Sequence, residues 1–299
     1  MRIRSDRISF TLPDGFEDET IYEFRNESRM EALMVTCGIL PPEANDLASL
    51  VTARRAEIER SLIALTGRFF TDEQRTQLGN LPCYVLTYIF ECEEKQMGSR
   101  IALSVLDAQS YIELNYIAPE THDLYLTFNH IIQSVSLLKD GTQRSNPPKG
   151  YVRRQANCIC LDVPEYLQPP STYHFNSHEK RIRFQLTLWD DCQDTKSIPS
   201  IEEEITNNTR YGADISQQGI CTIQTHHGEI VIIDYIDQLN ELPEELRNEV
   251  VRYARFKLGN DVWITVIGRS SIDNFEIMKQ EFVNFINNIN MEVTSWEMN

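Results

Sequence analysis

The chain has 299 residues, 41% hydrophobic and 24% charged, ordinary proportions for a soluble globular protein of about two domains. Its formal net charge of −17 argues against nucleic acid, whose capture depends on cations that neutralise phosphates, and against anionic membrane surfaces. No stretch approaches the roughly 18 apolar residues of a membrane span, and no apolar signal region follows Met1-Arg-Ile-Arg-Ser-Asp-Arg7, so a soluble, cytoplasmic protein without membrane insertion is expected.

In chain order, the alternating residues 8–12 read as a strand stopped by the turn signal Pro13-Asp14-Gly15. Residues 20–24 and 32–40 read as two further strands. Asn45 or Asp46 can cap a helix over residues 47–65, with Leu47, Leu50, Val51, Ile58 and Leu62 along one side. A polar strand over 67–78 ends at Gly79-Asn80, and strands follow over 83–91, 100–106 and 111–117. A helix over 123–138 comes next, its apolar face made of Leu124, Phe128, Ile131, Ile132, Val135 and Leu138. Then Gly, Pro, Ser and Asn cluster in residues 139–150, the composition of a linker.

Beyond the linker the same order of signals returns. Ile159-Cys-Leu-Asp-Val-Pro164 answers to Ile8-Ser-Phe-Thr-Leu-Pro13, 151 positions earlier, and Tyr173-His-Phe175 answers to Tyr22-Glu-Phe24. Phe184-Gln-Leu-Thr187 matches Leu33-Met-Val-Thr36, and Val262-Trp-Ile-Thr265 matches Tyr111-Ile-Glu-Leu114. The middle drifts to an offset of 147, where Asp234-Tyr235 pairs with Thr87-Tyr88. The second copy closes with an apolar stripe of Phe275, Met278, Phe282, Phe285, Ile286 and Ile289. A register kept from first strand to last helix predicts a tandem duplication: one domain over residues 1–139, a linker over 140–150, a second domain over 151–299. Each copy is expected to be α+β, an antiparallel sheet with two helices on one face.

Strand alternation then sorts residues onto faces. Tyr84, Leu86, Tyr88 and Phe90, with Ile112, Leu114 and Tyr116 beside them, make a large aromatic face for the helices. The opposite face carries Val85, Thr87, Ile89, Asn115 and Ile117 in the first half, and Ile230, Ile232, Ile236, Val262, Ile264 and Val266 in the second. A sheet covered on one side ordinarily shows water a polar second face. This one is apolar, so it is expected to be covered, by the other half or by an apolar partner.

Chemistry-bearing constellations are few. His174 and His178 stand four apart near Cys158 and Cys160, but residues i and i+4 of a strand lie about 13 Å apart, and Cys-x-Cys is not the usual zinc spacing. No metal and no cofactor are therefore expected. His226-His227 precede Gly228 and read as a turn between strands; the acidic runs 91–94 and 202–204 read as solvated surface. Seven cysteines, an odd number without framework spacing, suit thiols in a reducing compartment. No nucleophile elbow, phosphate-binding Gly-rich loop or His-Glu-x-x-His is present, so no enzyme is expected.

Three segments resemble a known family. Ile8-Ser-Phe-Thr-Leu-Pro-Asp-Gly-Phe16 resembles the opening of the DcrB-like family, a branch of the PsbP-like fold. Gly79-Asn-Leu-Pro-Cys-Tyr-Val-Leu-Thr-Tyr88 is similar to its Gly-x-Leu-Pro-Ala-Tyr strand, and residues 111–119 to its last strand. The resemblance covers most of residues 1–139 and reaches the second half through the internal repeat, where Pro82 has no counterpart and Gly268-Arg269 replaces Ala118-Pro119. Acidic members without a signal peptide resemble the Eag-type chaperones of bacterial type VI secretion, in which two chains shield the apolar N-terminal transmembrane segments of effectors. The resemblance thus implies an internal pseudo-dimer, a monomer whose two domains wall one cleft for apolar effector helices. Val85, Ile89, Ile117, Ile232, Ile236, Ile264 and Val266 would supply apolar contact there, and Thr87 and Asn115 hydrogen bonds. The alternative is a structural or regulatory module whose apolar faces seal the halves together.

Overall fold

The computed structural model describes residues 2–4, 8–42, 44, 46–66, 69–92, 95–120, 122–138, 146–190, 215–238, 248–259 and 262–291. The stretch before the expected linker supplies β1 (Arg2–Arg4), β2 (Ile8–Thr11), β3 (Glu17–Asp18), β4 (Tyr22–Asn26), β5 (Glu31–Ile39) and α1 (Leu47–Thr66). It continues with β6 (Phe69–Leu78), β7 (Leu81–Cys92), β8 (Lys95–Val105), β9 (Ser110–Pro119), α2 (His122–Ser134) and β10 (Ser136–Leu137). The stretch after it supplies β11 (Tyr151–Ala156), β12 (Ile159–Pro164), β13 (Thr172–Ser177), β14 (Ile182–Asp190) and β15 (Ile215–Thr225). β16 (Gly228–Gln238), β17 (Asn248–Leu258), β18 (Val262–Ser271), α3 (Phe275–Asn287) and β19 (Ile289–Met291) follow. The result is a sheet-rich α+β fold with antiparallel pairing between all of these strands.

The two large sheets have the same strand order. One runs β4-β5-β9-β8-β7-β6; the other runs β13-β14-β18-β17-β16-β15, with β3 added at the β13 edge. The compact bodies, however, do not coincide with these stretches. The first body is residues 21–170 and the second is residues 1–20 with 171–299, whereas the expected domains divide at 140–150. The cause is the pairing of the short strands. β10, before the expected linker, pairs with β12 after it, while β19 pairs with β2. β10 and β12 are close in sequence, so joining them closes only a short loop at small entropic cost. The β11–β12 hairpin thus belongs to the first body, and the β1–β2 hairpin to the second.

In the first body, α1 begins where the capping signal placed it. Asp46 Oδ1 accepts the Ser49 N–H at 2.8 Å, and this bond holds the Asp46 carboxyl below its ordinary value. Val51 packs with Leu86, Tyr88, Ile101 and Leu103, and Leu47, Ile58 and Leu62 join from the same helix side. The expected apolar stripe of α1 is therefore the one that is buried.

The pairing register corrects the expected faces. Leu86 stands opposite Ile101, and Ile101 opposite Asn115; Tyr88 stands opposite Ser99, and Ser99 opposite Ile117. Asn115 and Ile117 therefore share the face of Leu86 and Tyr88, where α1 packs. Ile112, Leu114 and Tyr116 lie on the Val85 and Thr87 side instead. That side carries α2: Arg100, opposite Thr87 and Tyr116, donates to Asn129 of α2 at 3.2 Å and lies over the rings of Tyr125 and Phe128. A Cβ on Gly98 would meet the Leu124 side chain of α2 at 2.5 Å, which marks how closely α2 lies over this strand. The two helices of this body thus cover opposite faces of its sheet, not one. Both faces are apolar in sequence because both are buried.

In the second body Ile230, Ile232, Ile236, Val262, Ile264 and Val266 do share one face, since Ile232 stands opposite Ala254 and Ala254 opposite Val266. α3 covers that face through Met278, Phe282, Phe285 and Ile286, all buried. Gly268 lies under it, where a Cβ would meet Met278 Sδ at 2.8 Å and Phe282 Cδ2 at 2.9 Å. The stretch expected to hold the first helix of this copy, with the acidic run 202–204, falls outside the described residues. The expected helix over 123–138 ends earlier: α2 stops at Ser134, and Leu138, placed on its apolar face, is 43% exposed.

Candidate functional site

The nine residues expected to hold a partner divide between cores. Val85 and Thr87 are buried on the α2 side of the first body, with half-buried Ile89 on the same face. Ile232, Ile264 and Val266 are buried under α3, and Ile236 is half-buried on that face. Asn115 and Ile117 are half-buried on the α1 side. The two polar members are already engaged inside the body. Thr87 Oγ1 accepts from Arg100 Nε at 3.4 Å, and Asn115 Oδ1 accepts from Ser99 Oγ at 2.9 Å. These nine positions do not make one surface, and most of them build the interior.

The histidines and cysteines also have structural settings. His174 is exposed on β13, and desolvation by its neighbours pulls its imidazole below the ordinary value. His178 Nε2 lies 2.9 Å from Glu19 Oε1. His226-His227 form the β15–β16 turn, as their place before Gly228 suggests, and His227 Nε2 donates to the Ile286 carbonyl of α3 at 3.2 Å. Gly79, at the β6–β7 turn, does the same for α2 with its own N–H, 2.7 Å from the Ile132 carbonyl. Each of these turns satisfies a carbonyl near a helix C-terminus. Among the described residues no three His, Cys, Asp or Glu side chains group as metal ligands would.

The first body does contain a recess, of about 670 Å³, between α2, the end of β9 and the β11–β12 hairpin. Tyr116 comes from β9, Leu126 and His130 from α2, Tyr151 from the start of β11, Tyr166 from the chain just after β12, and Arg29 and Glu31 from the entry to β5. The Tyr116 hydroxyl donates to Glu31 Oε2 at 2.9 Å. Burial raises the Tyr116 phenol far above its ordinary value, and raises that of Tyr166 to about 12, so both stay neutral donors at physiological pH. The Arg29 guanidinium lies 4.1 Å from the centre of the Tyr166 ring, a cation–π contact. The His130 ring packs on Tyr151 at 4.3 Å.

The rim is held by the backbone rather than by chance. Asn26 caps the short 3₁₀ turn Glu27–Arg29, accepting from the Arg29 N–H at 3.1 Å, while its Nδ2 donates to the Tyr166 carbonyl at 2.9 Å. Met30, between Arg29 and Glu31, has φ of 56°, a left-handed conformation that costs a non-glycine residue about 1 kcal/mol or more. Across the recess, Ser134 Oγ at the end of α2 accepts the Asp162 N–H of β12 at 2.8 Å, and Asp162 is bound by Arg153 at 2.5 Å. Leu126 remains 57% exposed at the mouth. The recess therefore offers aromatic faces, neutral hydroxyl groups, an imidazole, one guanidinium, one carboxylate and an apolar lip.

Of these residues sequence reasoning singled out only Tyr116, and for the wrong face. Arg29, Tyr151 and Tyr166 carry no spacing signature. They meet only because the hairpin folds over α2.

No protein-family model matches the chain, and no curated protein sequence does either. Among solved structures the chain is similar to the immunity protein TplEi of T6SS from Pseudomonas aeruginosa, at 8% identity and a TM-score of 0.47, over 99% of this chain and 98% of that one. It is also similar to a chain of the Tle4–Tli4 complex, at 8% identity and a TM-score of 0.49, over 99% and 98%. TplEi complexed with an "L" peptide gives 7% identity and a TM-score of 0.46, over 98% of both chains. Likeness of this degree brings no function with it.

Proposed function

We propose that the chain is a non-enzymatic protein-binding module that captures an apolar N-terminal segment of a type VI secretion effector, with the tyrosine recess of the first body as a docking point. The observation that carries the reading is the grouping of Tyr116, Tyr151 and Tyr166 with Arg29 and the exposed Leu126 around one recess. Tyrosine and arginine dominate protein interfaces because each combines a large apolar surface with directional hydrogen bonding. A recess of several hundred cubic ångströms takes up a few side chains of a partner. The partner class comes from the DcrB-like motifs in residues 8–16, 79–88 and 111–119 and the Eag-type role they imply. The shared strand order of the two sheets supports reading them as copies of one domain.

A second reading, a structural or regulatory module, is favoured by the burial of Val85, Ile232, Ile264 and Val266 within their own bodies. The two separate in a binding experiment. N-terminal segments of effectors from neighbouring reading frames, each fused to a soluble carrier, are titrated against the chain. Tyr151→Ala and Leu126→Asp are expected to weaken capture about tenfold or more, the loss typical of an interface anchor. Val231→Asp, at an exposed site of the second body, is expected to leave capture unchanged. Equal binding by all variants, or no binding by the wild type, supports the structural reading. Capture of a folded effector domain without the N-terminal segment would replace the chaperone role by the one named for TplEi, an immunity protein.

A further inference from the structure

The β11–β12 hairpin carries a second feature at its tip. Asn157, at φ of 52°, turns the chain between the two strands and presents Cys158 beside Cys37 of β5. The two sulfur atoms lie 3.8 Å apart, although the residues are 121 positions apart in sequence. Both side chains are partly exposed, within reach of a small oxidant. Cys37 stands opposite Ile112, which places it on the α2 face of the sheet, the face over which the hairpin lies. A bond between the two would therefore tie the hairpin layer to the sheet beneath it.

Three other thiols are set differently. Cys83 is buried, and burial pushes its thiol up to about 12, so it carries almost no thiolate at neutral pH. Burial also raises Cys160, two positions along β12. Cys221 belongs to the second body and is exposed. The sequence expectation of uniformly reduced thiols does not foresee such a pair.

We propose that Cys37 and Cys158 are a disulfide-forming pair that staples the β11–β12 hairpin to the sheet of the first body under oxidising conditions. The sulfur atoms must close from 3.8 Å to roughly 2.05 Å, a movement within the range of side-chain rotation at a hairpin tip. With oxidised glutathione as oxidant, one thiolate attacks the glutathione disulfide and releases one glutathione. The second thiolate then attacks the resulting mixed disulfide and releases the other. Two protein thiols lose two electrons and two protons, and one glutathione disulfide is reduced to two thiols. The bond closes a loop of more than a hundred residues, the class of cross-link with the largest effect on the unfolded chain. This inference does not depend on what the recess binds.

The test uses the full chain incubated with oxidised glutathione, then alkylated, digested and mapped by mass spectrometry. A peptide joining Cys37 to Cys158 is expected in the wild type and in Cys160→Ser, and absent from Cys37→Ser and Cys158→Ser. The oxidised wild type is expected to melt about 5 °C above its reduced form, while both serine variants melt alike with and without oxidant. The proposal is overturned if both cysteines stay open to alkylation or stop at glutathione adducts. It is also overturned if Cys158 links to another cysteine, or if the linked protein melts no higher than the reduced one.

Discussion

Ile264→Asp is expected to unfold the second body, with a loss of about 4 kcal/mol or more. Ile264 is fully buried on the face covered by α3, opposite Leu188 on one side and Phe256 on the other. A carboxylate there is cut off from water, and its desolvation falls directly on stability. Thermal melting followed by circular dichroism checks the outcome: the variant should show a sharply lowered or absent transition. Ile117→Asp, half-buried on the α1 side, should cost less because its charge can reach solvent. A folded Ile264→Asp that melts like the wild type but no longer captures partner would return this position to a binding surface.

Arg252→Ala comes next in expected effect. Arg252 Nε and Nη2 each donate to one oxygen of Asp234 at 2.8 Å, and both residues are largely buried between β16 and β17. The guanidinium also faces the rings of Phe275 and Phe282 of α3. Removing the cation leaves a carboxylate with its charge unpaired in a low-dielectric setting, a loss of about 3–5 kcal/mol. Replacing both partners at once by apolar residues of similar size should recover most of it, since the pair's desolvation is then avoided. Denaturant unfolding of the two singles and the double measures this. A double variant as unstable as Arg252→Ala would show that packing of the guanidinium on the rings, not the orphaned charge, carries the loss.

How far the sequence reveals this molecule can be read from individual residues. The stripe from Leu47 to Leu62 and the Asp46 cap place α1 almost to the residue, because a 3.6-residue period and a capping side chain are local signals. The same holds for Leu124, Phe128 and Ile131 of α2 and for Met278, Phe282 and Ile286 of α3. The face of Ile112 and Leu114 was not legible. Alternation tells which residues of one strand point together, but the register across each turn decides which side of the sheet they take. A shift of one residue reverses every side chain. That single ambiguity placed Asn115 and Ile117 with Val85 and put both helices on one face.

The placement of the opening hairpins was hidden for a different reason. β2 and β12 carry the same alternating pattern wherever they pair, and nothing local distinguishes pairing on one side of the linker from pairing across it. The recess depends on that placement, since Tyr151 and Tyr166 lie beyond the expected linker and Tyr116 before it. Only the position of the hairpin brings Tyr151 and Tyr166 to the recess that Tyr116 lines.

The central claim is that the recess of the first body is where a partner segment docks. Hydrogen exchange read by mass spectrometry, with and without the carrier-fused effector segment, tests it most directly. Slower exchange is expected on binding in residues 27–31, 122–130 and 148–168, which surround the recess, with little change in β15 and β16. Protection confined to the second body, or none around the recess at saturating segment, would contradict the account.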